Sequence, residues 1–397
     1  MVTVKALDEL TLADLWQVVP HDEDFWEDTK PRLRSMLKHL MQGALEEELT
    51  ALLGASRYRR VERRGGYRNG FYERDLVTQI GIVQGVRVPR ARGLPQERAV
   101  FDRYQRRQGE VNQLIRDVFL RGVSTREVGR VLETMLGERV SAATVSRVAR
   151  SLDVEVQRFH TQRLTDTWRY LLLDGVYLRV KAAPQVRRRL VLCAFGMGVD
   201  GRRRLLDFRL AESESEACWT AFLSDLQARG FTGQHLRLVA TDGCAGLHAA
   251  LEVVFPYVPR QHCWAHKLRN VSNQLKRSQQ AACIAGARGI YQAATRRAAV
   301  AAYWAWSTRW RAEAPRAVAC LERDLEELLA HFACPSADRR AVRTTNAIER
   351  CFREVRRRTR PMSCFTNDAS CERIIYAVIS HLNTTWEGRP LQSTQKA

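Results

Sequence analysis

The chain has 397 residues and is 45% hydrophobic, which is enough for two or three domains with substantial cores. Its 64 Lys and Arg residues outnumber 44 Asp and Glu, and the net charge of +20 favours nucleic acid as a partner over an acidic membrane surface. No run of 18 apolar residues and no signal-peptide pattern occurs, so we expect a soluble, intracellular protein. Ten cysteines without paired spacing predict reduced thiols in a cytoplasmic protein.

The first predicted region, residues 1–55, is helical and locally acidic. Leu37, Leu40, Met41, Leu45 and Leu49 recur at helical spacing. We expect this amphipathic helix to pack against a neighbouring element or a second subunit rather than to bind a ligand.

Residues 56–110 form a basic β and loop region in which arginines alternate with aromatic residues. The dipeptide Asn69-Gly70 predicts a hairpin turn between Tyr67 and Tyr72. Basic side chains contact phosphates and aromatic rings stack on bases or sugars, so the region is a candidate DNA-binding surface. A solvated basic face around a small β unit is the alternative. The candidate DNA-binding residues here are Arg57, Arg59, Arg60, Arg63, Arg64, Tyr67 and Arg68.

Residues 111–155 have the pattern of three short helices. A capping box at Ser124–Glu127 begins the second helix and Gly137 ends it. Ser141 caps a third helix, predicted over Ser141 to Leu152, with Arg147 and Arg150 facing outward. This layout is typical of a helix-turn-helix whose recognition helix carries those two arginines, although many three-helix units only pack.

The region from Trp168 predicts an α/β domain. Three antiparallel strands come first, and two further strands then alternate with helices, which is the ribonuclease-H-like order. The predicted strands are Trp168 to Val180, Leu190 to Val199, Leu205 to Leu210, Leu236 to Thr241 and Tyr257 to His262. We expect the catalytic domain to comprise residues 165–262 and 340–390, interrupted by an all-helical insertion over residues 263–339. That insertion contacts DNA ends or is purely structural.

Three carboxylates stand in contexts that suit metal-dependent phosphoryl transfer. Asp174 lies inside an apolar strand, Asp242 ends the apolar run before Gly243, and Glu349 lies on a basic helix. Carboxylate oxygens bind divalent cations, which offset the repulsion between the acids. Two simpler interpretations stay open: a turn at Asp174-Gly175, and a capping box in which Glu349 bonds back to an N-cap at Asn346.

Two further groups lie near these acids in sequence. The helix that carries Glu349 is rich in arginine, and Arg353, Arg356 and Arg357 are candidates for holding a DNA backbone. Cys263 and His266 form a Cys-x-x-His pair that supplies only half of a zinc site. Lys267 and Arg269 nearby are further candidates for phosphate contact.

Several motifs together resemble the Mutator-type transposases of prokaryotic insertion sequences. They are GYRNGFYER, VRVPRARG, GVSTREV, LLLDGVYLRV, TDGCAGL, QHCWAHKLRNV and TTNAIERCFREVRRRT, in that order over about residues 30 to 390. The resemblance implies a DDE triad of Asp174, Asp242 and Glu349 that binds two Mg²⁺ ions, with Mn²⁺ able to substitute. It also implies that Cys263 and His266 are the family's Cys-x-x-His signature, and it favours a copied circular intermediate over cut-and-paste transposition.

The resulting hypothesis is a DNA transposase that binds terminal inverted repeats, cleaves transposon ends and joins them to target DNA. Double-stranded DNA at the nucleoid is then the partner, no membrane is involved, and a homodimer or larger homo-oligomer pairs the two ends. The alternatives are a ribonuclease-H-like nuclease that does not join, and a catalytically inactive DNA-binding regulator.

Overall fold

The computed structural model gives two compact units, Met1–Ala149 and Arg150–Ala397. It describes residues 25–59, 61, 65–93, 107, 109–120, 123, 125–137, 140–182, 185–198, 200–360 and 364–387. None of the described helices is long and apolar enough to cross a membrane.

The first unit begins with a helix packed on a β-hairpin. Helix α1 (Phe25–Leu53) precedes the antiparallel strands β1 (Tyr67–Thr78) and β2 (Gly81–Arg92). Leu45 of α1 is fully buried and packs against apolar side chains of both strands, including Leu76 and Val86. The predicted helix is confirmed from Phe25 onward, while residues 1–24 lie outside the described residues.

The predicted hairpin turn at Asn69-Gly70 is wrong. The strands turn at residues 79–80, where the Thr78 hydroxyl donates to the Gly81 carbonyl at 2.7 Å. Asn69 and Gly70 instead interrupt the register within β1, and Gly70 has φ +68. Because glycine tolerates positive φ, the dipeptide accommodates a β-bulge inside the strand rather than its end.

Three helices follow in the first unit: α2 (Gly109–Leu120), α3 (Thr125–Leu136) and α4 (Ala142–Arg150). Gly137, with φ +72, ends α3 as predicted, and the Ser141 hydroxyl accepts from the Thr144 amide at 3.2 Å as the predicted N-cap of α4. Ser124 lies outside the described residues.

The third helix of this group is shorter than its predicted span, Ser141 to Leu152. Helix α4 ends at Arg150, and a separate helix, α5 (Leu152–Thr161), begins after Ser151. Asp153 and Glu155 occupy the first turn of α5, where acidic side chains favour a new helix start.

The second unit is built on a five-stranded mixed sheet. Its strands are β3 (Trp168–Ala182), β4 (Gln185–Gly198), β5 (Arg203–Ala211), β6 (Leu238–Thr241) and β7 (Arg260–His262). The order across the sheet is β5-β4-β3-β6-β7. Strands β3, β4 and β5 pair antiparallel, whereas β6 pairs parallel to β3 and to β7. The mixed α/β class is therefore confirmed, and β3 is the central strand.

Helices cover both faces of this sheet. Helices α6 (Glu216–Ala228) and α7 (Ala245–Val254) bury Leu171 and Leu173 of β3 on one face. On the other face lie α14 (Asn346–Thr359) and α15 (Asp368–Glu387), where Trp386 packs edge-on against Phe195. Since successive side chains of a strand alternate between faces, Leu172 and Asp174 point toward α14 and α15.

Between β7 and α14 the chain is helical, as predicted. The helices are α8 (Trp264–Asn273), α9 (Arg277–Gln292), α10 (Arg296–Trp310), α11 (Pro315–Glu322), α12 (Leu325–Leu329) and α13 (Ser336–Val342). They surround their own apolar core, in which Trp264, Trp306 and Trp310 are buried. Trp304, by contrast, is 56% exposed.

A buried ionic network ties β5 to the helices beside it. Asp207 is fully buried and accepts hydrogen bonds from the Arg229 guanidinium, the Phe208 amide at 2.8 Å and His160 Nδ1 at 2.7 Å. A buried carboxylate with three donors is fully satisfied, whereas its removal leaves three buried donor groups without this acceptor, although Arg229 keeps its second partner, Asp225.

We expect Asp207→Ala to lower the free energy of unfolding of this unit by about 3–5 kcal/mol, because it breaks a buried ion pair and removes the acceptor shared by Arg229, His160 and the Phe208 amide. Urea unfolding followed by tryptophan fluorescence reports on the unit through Trp168 and Trp219. The exposed pair Asp200–Arg202 is the control, since Asp200→Ala should cost at most about 1 kcal/mol. Equal losses in the two variants would contradict the assignment of a buried network.

Candidate active site

Asp174 is a buried carboxylate in the middle of the central strand. It lies opposite Cys193 of β4 and is 3% exposed. Strand β3 continues to Ala182, so the interpretation of Asp174-Gly175 as a terminal turn is wrong. Oxygen Oδ2 of Asp174 is buried and has no hydrogen-bond partner in the described part of the chain.

The surroundings of Asp174 favour its neutral form. Burial, the largest cause, raises the pKa of its carboxyl to about 7. Asp242 and Glu349 raise that pKa further by like-charge repulsion, whereas His266 and a hydrogen bond with Thr345 lower it. The sequence-predicted acids are therefore close enough to repel one another.

The register of the sheet brings Asp242 beside Asp174. Leu172 of β3 pairs with Ala240 of β6 in parallel, and each acid stands two residues further along its strand. Both side chains thus lie at the same level and on the same face. The Asp242 carboxylate accepts from the Cys244 amide at 3.1 Å, immediately before α7 begins.

Glycines allow close approaches beside both aspartates. A Cβ on Gly243, which has φ +86, would lie 2.1 Å from His262 Cε1. A Cβ on Gly175 would lie 2.8 Å from Glu214 Oε1, so Glu214 is a further carboxylate at this edge of the sheet. Burial, the largest cause, raises the pKa of Glu214, and repulsion from Asp242 adds to it.

Cys263 continues the same edge onto the next strand. Thr241 of β6 pairs with His262 of β7, so Cys263 neighbours Asp242. The Cys263 sulfur accepts from the Thr345 amide at 3.3 Å and from the Thr345 hydroxyl at 3.5 Å. Thr345 is the N-cap residue of α14, so Cys263 fastens the start of the helix that carries Glu349.

His266 lies one turn into α8 and faces the acids. Its Nε2 is 3.8 Å from Glu349 Oε1. A hydrogen bond with Cys263, the largest cause, raises the pKa of His266 to about 9; burial opposes this, and Cys263, Asp174 and Asp242 add to it by their charge. Burial alone would raise the pKa of the Cys263 thiol, but hydrogen bonds from His266 and Thr345 outweigh it and lower that pKa. A protonated imidazole is therefore the main positive charge facing the carboxylates.

Glu349 faces the site and does not complete a capping box. Helix α14 begins at Asn346 with Thr345 as its N-cap, and no side chain caps it. Glu349 Oε1 is instead 3.7 Å from Arg269 NH2, in addition to its contact with His266. The capping interpretation with Asn346 as N-cap is wrong, because the Thr345 hydroxyl is engaged by Cys263.

The predicted phosphate contact by Lys267 does not fit the structure. Its side chain is only 5% exposed and its ammonium pairs with Asp324 and donates to the Cys320 carbonyl at 3.0 Å. Lys267 therefore holds α8 against α11 and the start of α12. By contrast, Arg353, Arg356 and Arg357 of α14 are exposed, and Arg357 pairs locally with Glu354 at 2.8 Å.

The candidate DNA-binding residues of the first unit are described in part. Arg60, Arg63 and Arg64 lie outside the described residues. Arg59 and Tyr67 are exposed, and Arg147 and Arg150 are exposed on α4.

Two more of these candidates contact α1. Arg57 is exposed but pairs with Glu46 at 3.0 Å. The side chain of Arg68 is largely buried and donates to the Thr50 hydroxyl at 2.7 Å. Arg68 thus contributes to packing on α1, a contact that sequence alone did not indicate.

The donor set fits a divalent cation in its chemistry. Asp174 has a buried oxygen without a partner, and Asp242 and Glu349 are near enough to repel it. Among the described residues, however, no three His, Cys, Asp or Glu side chains converge closely enough to hold one ion.

Sequence reasoning missed the residues that orient this site. Thr345 and Glu214 were not singled out. Only Thr345 had a usable signal, because threonine before a helical run is a common N-cap. Glu214 comes from a distant segment that meets the site only in the folded unit. Arg269 was a predicted phosphate contact, and the structure places it 3.7 Å from the Glu349 carboxylate.

The basic composition and the acidic edge of the sheet are those of a nucleic-acid-processing protein. The sequence model of the family described as "Transposase, Mutator family" matches residues 14–388. The chain therefore belongs to the Mutator family of transposases.

Relatives from several bacteria agree with this. The chain is 34% identical over 354 residues to the transposase for insertion sequence element ISRM5 of Rhizobium meliloti (strain 1021), covering 89% of this chain and 88% of that protein. It is 36% identical over 353 residues to the transposase for IS406 of Burkholderia multivorans, covering 88% and 90%. It is 30% identical over 356 residues to the transposase for IS256 in transposon Tn4001 of Staphylococcus aureus, covering 89% and 90%.

The raised pKa of Asp174 predicts a stability that falls with pH in the metal-free protein. A group whose folded-state pKa is raised stabilises fully below its unfolded value, here 3.8, and that contribution is lost as pH rises through about 7. Relative to Asp174→Asn, the wild type should lose roughly 2–3 kcal/mol between pH 5 and pH 8. Urea unfolding in EDTA at both pH values measures this difference. Asp200→Asn should show no such change relative to the wild type. A difference in unfolding free energy between the wild type and Asp174→Asn that is the same at pH 5 and pH 8 would contradict the prediction.

Cys263 should protect the start of α14 from local opening. In Cys263→Ala the Thr345 amide loses its acceptor, and hydrogen exchange there should accelerate about tenfold, equivalent to about 1.4 kcal/mol. Exchange measured by mass spectrometry on peptides covering residues 344–348 tests this. Cys283→Ala, which also removes a buried thiol, is the control and should leave these peptides unchanged.

Proposed function

We propose that this chain is the transposase of an insertion sequence, and that it cleaves transposon ends and joins them to target DNA by DDE chemistry at Asp174, Asp242 and Glu349. The observation that carries the proposal is the position of Asp174, buried in the central strand with a partnerless oxygen and flanked by Asp242 through the strand register. The names of the relatives, which are transposases for insertion sequence elements, support the reaction class.

The same proposal includes the ribonuclease-H-like fold for the second unit. The strand order β5-β4-β3-β6-β7, with three antiparallel strands followed by two parallel ones, is the arrangement predicted for it. In open α/β sheets, functional groups gather at the carboxyl ends of parallel strands. Asp242 and Cys263 stand directly after β6 and β7 at that edge.

Mg²⁺ would be held by Asp174, Asp242 and Glu349, with Mn²⁺ able to replace it. When bound, such ions supply an activated water or hydroxyl and neutralise charge on the phosphate. The carboxylates of this chain would supply oxygen ligands: Asp174 is buried, and Asp242 is oriented by the Cys244 amide. His266 and Arg269 hold the Glu349 carboxylate from the opposite side.

The DNA would run over basic surfaces of both units. Arg353, Arg356 and Arg357 extend from the Glu349 helix, and Arg147 and Arg150 are exposed on α4. We propose that α2, α3 and α4 form the helix-turn-helix that reads the terminal inverted repeats. Pairing two ends requires at least a homodimer.

A strand-transfer assay tests the proposal. Purified protein, Mg²⁺, labelled DNA carrying the flanking inverted repeat and a supercoiled target should give joined product. Glu349→Gln and Asp174→Asn should each reduce its rate at least about a thousandfold, equivalent to about 4 kcal/mol of activation free energy. End binding should remain nearly intact.

Glu354→Gln is the matched control, because Glu354 lies on the same helix and pairs with Arg357. It should retain wild-type joining. Cleavage without joining in the wild type would favour the non-joining nuclease, and binding without either reaction would favour the regulator. Joining that survives Glu349→Gln would exclude Glu349 from the reaction.

A further inference from the structure

An arginine-lined cleft lies next to the Glu349 helix. It has a volume of about 500 Å³ and is formed by α8, α9 and the segment from α13 to α14. Five guanidinium groups line it: those of Arg269, Arg288, Arg340, Arg343 and Arg350. No acidic side chain lines it within the described part of the chain. Five like charges around one cleft repel each other, so the cleft has a strong preference for an anion.

Most of these arginines are not used by the fold. For Arg288, Arg340 and Arg350, no carboxylate of the described residues lies within 4.0 Å. All three side chains are exposed. Arginines that stabilise a fold are usually paired, as Arg229 is with Asp207, so this set is available to a ligand.

One arginine of the cleft is held in a fixed orientation. The guanidinium of Arg343 lies 4.5 Å from the centroid of the Tyr291 ring and donates to the Tyr291 carbonyl at 3.2 Å. A planar cation fixed by a ring and a carbonyl is preorganised for phosphate oxygens, and less conformational entropy is lost on binding.

Part of the cleft lining is apolar. Ala265, Leu268 and Ile284 line the cleft and are only partly buried, so they present hydrocarbon surface to it alongside the guanidinium groups. A ligand that matches both parts carries negative charge on one side and an apolar, planar group on the other. A nucleotide of an unpaired DNA strand has this character, whereas the bases of a duplex are stacked inside it.

The cleft is continuous with the candidate active site. Arg269 lines the cleft and lies 3.7 Å from Glu349, and Arg350 directly follows Glu349 on α14. We propose that this cleft binds one unpaired DNA strand next to the scissile phosphate, with its phosphates on the five arginines and a base on the apolar part of the lining. The proposal rests on the proposed function, which places a scissile phosphate at Glu349, and it gives the helical insertion a share in substrate binding.

Binding of single-stranded DNA to the full chain tests this without requiring catalysis. The probe is a fluorescein-labelled thymidine octamer, titrated in EDTA at several salt concentrations and followed by fluorescence anisotropy. The test variant is the double substitution Arg288→Gln with Arg340→Gln. The control is Arg297→Gln with Arg316→Gln, two exposed arginines of α10 and α11 outside the cleft that give the same loss of charge.

The cleft variant should bind the octamer on the order of tenfold more weakly at 0.1 M salt, and its salt slope should fall by about 1.4, the value for two lost single-strand phosphate contacts. The control variant should keep the wild-type slope. Circular dichroism should show that both variants remain folded, since the substituted side chains are exposed.

Two outcomes would overturn the proposal. One is an equal loss of affinity in the cleft and control variants. That result would mean that the cleft arginines act only through the overall positive charge of the protein and form no specific binding site. The other is an equal loss for a 20-base-pair duplex and for the octamer, which would make the cleft a duplex backbone site. A failed strand-transfer reaction would leave this binding test unaffected, so the two proposals fail separately.

Discussion

The structure of the second unit depends on one costly feature, a carboxylate buried in the central strand. Asp174 is 3% exposed and one of its oxygens has no hydrogen-bond partner among the described residues. Burying such a group costs several kcal/mol unless a cation or donors compensate it. The parallel register that fixes β6 on β3 brings Asp242 to the same place and increases the cost. A fold that concentrates acids in this way loses stability in exchange for a reactive site.

The Cys-x-x-His pair, Cys263 and His266, has a physical role beside the buried Asp174 carboxylate. Cys263 stands on the strand next to Asp242 and accepts two hydrogen bonds from Thr345, so it fixes where the Glu349 helix begins. His266 faces the same acids, and its raised pKa keeps it positively charged near neutral pH. The pair thus couples the position of Glu349 to the charge of the site.

Much of the second unit could be predicted from sequence because its apolar strands and glycine turns are local signals. Three elements show where local signals fail. Asn69-Gly70 has the composition of a turn, but the pairing of β1 with β2 absorbs it as a bulge. Lys267 was predicted to contact phosphate because it is a cation close to the candidate site in sequence. In the structure its side chain is buried in an ion pair with Asp324, far along the chain. The arginine cleft combines residues from α8, α9, α13 and α14, and only the folded insertion brings them together.

Mn²⁺ binding tests the central claim most directly, namely that the buried Oδ2 atom of Asp174, which has no hydrogen-bond partner among the described residues, serves to hold a divalent cation. Electron paramagnetic resonance of the full chain titrated with Mn²⁺ counts bound ions without requiring DNA or catalysis. The account predicts saturable binding by the wild type that is lost in Asp174→Asn and retained in Glu354→Gln. Equal binding by the wild type and Asp174→Asn would contradict it, because the buried carboxylate would then serve no ion.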